Sequence, residues 1–161
     1  MIGLWLGLSV VKTPVEVIST LQAWFPTLKI GDYEVLIESN QDWPPIVIWV
    51  SENKSEFPTG VSIELFPGPQ DEGYEMPVVI ELARRFAEAY DCQTICDGSG
   101  YGEVEHYPGY AIVWKDGVPY LADDYGSEFA DQLGEPVRII KPIQIDSTRN
   151  ADCVKTVIEM G

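Results

Sequence analysis

The segment Asp97-Gly98-Ser99-Gly100-Tyr101-Gly102-Glu103 holds the residue types that invite a chemical reading. Its glycines could let a backbone approach a phosphate, and its carboxylates could attract a cation. The spacing fails for a nucleotide. The third glycine of a dinucleotide fingerprint would fall on Glu103, and no Lys-Ser or Lys-Thr pair follows to make a P-loop. A calcium loop starting at Asp97 would need a bidentate acid at its twelfth position, where Pro108 stands. An irregular oxygen-rich site around Asp123, Asp124 and Glu128 stays open, but surface acids are common and imply no metal. Zinc and nucleophilic catalysis both lack ligands and bases. His106 is the only histidine, the Glu103 and Glu105 carboxylates beside it favour its protonated form, and Cys92 and Cys96 lack the paired spacing of a structural zinc site. Carboxylate pairs of the glycosidase kind are too unspecific in an acidic chain to point anywhere. The sequence therefore predicts no catalytic residue, no metal and no cofactor.

What remains is a bias. Between Asp97 and Glu135 lie Asp97, Glu103, Glu105, Asp116, Asp123, Asp124, Glu128, Asp131 and Glu135, opposed by Lys115 alone. Tyr101, Tyr107, Tyr110, Tyr120, Tyr125 and Phe129 are interleaved with them. Tyrosine brings contact area at low rotamer entropy, and carboxylates are directed acceptors for Lys and Arg. The pattern predicts a surface that binds a basic protein through Asp97, Glu103, Glu105, Asp123, Asp124 and Glu128, with Tyr101, Tyr107 and Tyr125 as anchors. Tyr110 and Tyr120 fall in predicted strands, so part of the tyrosine set belongs to the core. The whole chain agrees in sign: 26 acids against 10 bases give a formal charge of -16. That excludes the clustered cations that nucleic acid or an anionic membrane surface would require, and it makes a cationic partner the natural complement. Acidity serving only solubility is the competing expectation.

The elements that must position these residues follow from periodicity. Met76 to Tyr90 carries Val79, Leu82, Ala83, Phe86, Ala87 and Tyr90 at three- and four-residue spacing, predicting one long amphipathic helix over 76–90 with Pro77 at its first helical position. Glu81 with Arg85, and Arg84 with Glu88, are placed to pair on its wet face. Cys92 to Cys96 reads as a short buried strand. Ile2 to Leu8, with no polar alternation, reads as a central strand. Thr13-Pro14 starts a helix that ends before Pro26. Tyr33–Glu38, Ile46–Val50 and Val61–Phe66 read as three strands of an antiparallel meander. The Asp116-Gly117 pair joins two strands as a hairpin. Val137 to Ile140 forms a late strand, and a short helix starts at Asn150 or Ala151. This order predicts a single α+β domain over residues 1–161, with a mainly antiparallel sheet and helices on one face.

The apolar run at the amino terminus has Lys12 after it rather than basic residues before it, the wrong order for a secretory signal. Cys92, Cys96 and Cys153 read as reduced thiols. Both features point to the cytoplasm.

The stretch Ile80-Glu81-Leu82-Ala83-Arg84-Arg85-Phe86 through Cys96-Asp97-Gly98, then Tyr110-Ala111-Ile112-Val113-Trp114 to Tyr120-Leu121-Ala122-Asp123-Asp124, resembles the immunity proteins that neutralise bacterial polymorphic and contact-dependent toxins. Those families share no diagnostic motif, so no residue is carried over from them. The resemblance implies a non-enzymatic, stoichiometric inhibitor that masks the active cleft of a basic toxin. A small carboxylate- or metal-dependent hydrolase and an adaptor subunit are the rival readings.

Overall fold

The computed structural model describes residues 2–66, 72–101, 109–124 and 136–159. The strands are β1 (Ile2–Leu8), β2 (Ile30–Asp32), β3 (Ile46–Glu52), β4 (Thr59–Leu65), β5 (Thr94–Asp97), β6 (Tyr110–Lys115), β7 (Val118–Asp123) and β8 (Arg138–Pro142). The helices are α1 (Pro14–Trp24), α2 (Tyr33–Ile37), α3 (Glu75–Tyr90) and α4 (Ser147–Val154), the last continued by a π turn at Lys155–Glu159. The strands form one sheet in the order β2-β3-β4-β1-β5-β6-β7-β8, antiparallel at every junction except β2–β3. The fold is α+β.

β1 is central because it can be. Leu4, Leu6 and Leu8 point to one face and are buried, while Gly3, Trp5 and Gly7 point to the other. The leucine face is continuous with Ile46 and Ile48 of β3, with Val61, Ile63 and Leu65 of β4, and with Cys96, Ile112 and Trp114. Against it pack Val17 and Leu21 of α1, the buried stripe of α3, and Cys153, Val154 and Ile158 at the carboxy-terminal end. Three helices thus share one face of the sheet. On the opposite face Ile95, Ala111, Val113 and Ala122 make a smaller cluster under Phe57 and Val137.

Local chemistry fixes the element ends. Thr13 accepts a hydrogen bond from the Glu16 backbone N–H, and Glu16 reaches back to the Thr13 N–H, which completes a capping box for α1. Asp91 closes α3 in the left-handed region at φ 47°. The Thr94 hydroxyl then donates to the Ala83 carbonyl at 2.8 Å and ties the helix to β5. The β6–β7 hairpin turns on Asp116 and Gly117, both at positive φ, as a type I′ connection requires. Replacing Gly117 (φ 78°) by Ala is expected to lower stability by about 1 kcal/mol, read from the midpoint of chemical unfolding.

Several expectations need correction. Tyr33–Glu38 is not a strand. Asp32 caps Glu34 through its side chain and starts α2, so only Ile30–Asp32 joins the sheet, parallel to β3, and the three-strand meander reduces to the β3–β4 pair. Cys92 lies before β5 rather than inside it. Helix α3 begins at Glu75, which puts Pro77 third, and α4 begins at Ser147 under an Asp146 cap.

Glu81 is also not on a wet face. It is 2 % exposed, and it accepts hydrogen bonds from Arg84 Nε at 3.2 and 3.1 Å and from Arg85 Nε at 3.2 Å. Hydrogen bonding to Glu81 is the main cause that holds the Arg84 guanidinium pKa above its usual value. Arg84 also reaches Glu88, the pairing expected from spacing.

Candidate functional site

β1 and β5 pair only from Leu6–Cys96 to Leu8–Thr94. Beyond Leu6 toward the amino terminus the two strands are no longer partners, and a cleft of about 390 Å³ opens there. Gly3, Leu4 and Trp5 line it from β1, Glu75, Met76 and Val79 from the first turns of α3, Asp97 from the end of β5, and Asp124 from just past β7. A Cβ built on Gly3 would meet nothing within 4 Å, so the glycine leaves its wall open.

The register of the sheet brings Asp97 and Asp124 to this place. Asp97 pairs with Ala111, and Ala111 with Ala122; two residues further, Asp124 turns to the same face and donates its backbone N–H to Gly109 O at 2.7 Å. Gly98 lies so close to the Ala111 backbone that a Cβ would stand 2.7 Å from it, so only glycine fits there. Asp97 itself is exposed and accepts from Ser99 through both oxygens, N–H at 3.0 Å and hydroxyl at 3.2 Å. This local turn fixes its carboxylate at the cleft mouth.

Asp124 is different in kind. It is 7 % exposed, and its Oδ1 is buried without a hydrogen-bond partner. Burial pushes its carboxyl pKa up to about 6; a hydrogen bond from its own backbone opposes this, and the charges of Asp123 and Asp97 add to it. No Lys, Arg or His is among the described residues that line the cleft. The contrast with Glu81, also buried but held by two guanidiniums, separates a carboxylate used for structure from one with no counter-charge among the described residues.

Of the residues predicted to bind a partner, the fold brings Asp97 and Asp124 together. Asp123 turns away and pairs with Arg138 at 2.6 Å. Tyr101 is half-buried and packs against the main core. Glu103, Glu105, Tyr107, Tyr125 and Glu128 lie outside the described residues. Among the described residues no group of three His, Cys, Asp or Glu side chains is placed to hold a metal ion. No helix among them is long and apolar enough to cross a membrane.

Sequence reasoning missed the other six residues of the cleft: Gly3, Leu4, Trp5, Glu75, Met76 and Val79 line it, and none is among the predicted site residues. It also missed an aromatic corner: Tyr33 meets Trp43 edge-on at 5.8 Å and Trp49 at 6.2 Å, and Trp43 meets Phe66 at 5.9 Å. Beside it Tyr33, Val47, Trp49, Ser62 and Glu64 line a groove of about 340 Å³. Trp5 pairs with Ser62 and Ser62 with Trp49, so Trp5, which also lines the acidic cleft, shares with the groove the face of the sheet opposite the three helices. Trp49 is 47 % exposed there. Tryptophan is a residue type enriched at interfaces. The signal was available in Tyr33, Trp43 and Trp49, which fall close together in the chain.

No protein-family model matches this chain, and neither a curated protein nor a solved structure matches it.

Proposed function

We propose that this chain is a non-enzymatic binding protein for a basic protein, of the immunity type, which neutralises a cationic bacterial toxin by covering its active cleft. The observation that carries the reading is Asp124. A carboxylate buried with no counter-charge among the described residues is costly to the fold, and a cation that arrives from outside would offset that cost. Around it Asp97 and Glu75 add negative potential, and the net charge of -16 steers a cation toward the same molecule. In a separate groove, Trp49 and Tyr33 supply apolar contact of the kind that anchors an interface. Acids kept only for solubility would be solvated, and Asp124 is not.

A carboxylate hydrolase is the second reading, because a buried acid with a raised pKa beside an exposed one resembles an acid–base pair. The other walls of the cleft weigh against it. Leu4, Met76 and Val79 offer no side-chain groups to orient the hydroxyls of a sugar, whereas they suit an alkyl stem.

The reading is tested by co-expressing the chain with the product of each flanking reading frame. One product should arrest growth alone, be relieved by this chain, and co-purify with it in a fixed ratio. In that complex, Asp97→Asn with Asp124→Asn should slow association about tenfold at low salt and flatten its salt dependence. If no flanking product is both toxic and bound, the immunity reading fails.

A further inference from the structure

We infer that the cleft between β1 and β5 is a receptor for one long basic side chain, a lysine or arginine that enters alkyl stem and all and places its charged end beside Asp124. This rests on the reading of the chain as a receptor for a basic protein, but not on that protein being a toxin.

Three features converge. Asp124 lines the cleft, and its buried Oδ1 is an acceptor with no donor. The same cleft is lined by Leu4, Trp5, Met76 and Val79, which match the methylene stem of Lys or Arg. Glu75 and Asp97 flank these walls as additional acceptors, and a guanidinium or ammonium has several donors to distribute among separated carboxylates. A divalent ion needs its oxygens gathered on one point, and the described acids are not so gathered. The space, about 390 Å³, is large for an ion and ample for a side chain.

Among the described residues the titratable groups facing Asp124 are acidic: Glu75 from α3, Asp97 from β5 and its neighbour Asp123 on β7, the last already paired with Arg138. A cation that enters therefore displaces a proton wherever Asp124 is still protonated. Affinity should fall about tenfold per pH unit below about 6, the value to which burial pushes Asp124.

The probes are N-acetyl-lysine methylamide, N-acetyl-arginine methylamide, the neutral norleucine analogue, spermidine and calcium chloride, each titrated into the full chain. The readout is the methyl NMR signals of Leu4, Met76 and Val79. The lysine or arginine probe should give saturable shifts confined to these residues, and norleucine and calcium none. Asp124→Asn should weaken the binding tenfold or more by removing the charge. Gly3→Val should do the same by filling the cleft, because its Cβ has open space and the fold need not adjust. A probe response that is absent, spread over the surface, matched by norleucine or calcium, or unchanged in both variants overturns the inference. Tighter binding of spermidine than of either amino-acid probe also overturns it, by assigning the cleft to a free polyamine. The inference fails on these probes alone; the immunity reading fails only if no toxic partner is bound.

Discussion

Replacing both guanidiniums that hold Glu81, as Arg84→Met with Arg85→Met, is expected to lower the unfolding free energy by about 3–5 kcal/mol. The loss arises because Glu81, 2 % exposed on the inner part of α3, would keep its charge without a partner inside the helix–sheet core. Either arginine alone should cost much less, since the other still holds the carboxylate at hydrogen-bond distance. Adding Glu81→Met to the double variant should restore most of the stability, because the whole triad is then exchanged for apolar volume rather than broken. Urea unfolding of the single, double and triple variants reads all three steps. A double variant as stable as the parent would mean that Glu81 is reached by water.

Asp124→Asn is expected to act in the opposite direction. It should raise stability at pH 7 by about 1–3 kcal/mol, because the amide keeps the shape and removes a buried, uncompensated charge. The pH dependence follows from the folded pKa lying near 6, above the ordinary 3.8. The native state then holds the proton more tightly than the unfolded chain does. The parent protein is therefore most favoured by this group below about pH 4, loses stability as pH rises toward 6, and is flat above it. The gap between parent and variant should open across that window and be absent below it. The variant should gain stability while losing affinity for a cation, the exchange expected where a site is strained for binding. A variant less stable than the parent by the same amount at every pH would contradict this.

The two carboxylates also mark what a sequence can tell. The apolar spacing of α3, the all-apolar β1 and the Asp116-Gly117 turn are local signals, and each produced the element it predicts. The pairing of Arg84 with Glu88 was legible as well, because it depends only on helical spacing. The burial of Glu81 was not read, although Val78-Val79-Ile80 before it and Leu82-Ala83 after it leave little of that turn polar. Tyr33–Glu38 misled because Tyr-Glu-Val-Leu alternates like a strand; the Asp32 cap that settles it as a helix is a one-residue signal. The cleft lay further out of reach. Asp97 and Asp124 are far apart in the chain and meet through two successive strand registers, and Gly3 and Glu75 arrive from elements that no local pattern connects to them. A tally of acids could predict a cationic partner, but only packing distinguishes Asp123, spent on Arg138, from Asp124, left open.

The most direct measurement is the pH titration of the Asp124 carboxyl carbon by NMR in the free protein. A midpoint near 6, moving down when a lysine or arginine probe is present, is the predicted result. A midpoint in the ordinary range near 3.8, indifferent to added cation, would show that the carboxylate is already satisfied within the chain and would contradict the assignment of the cleft.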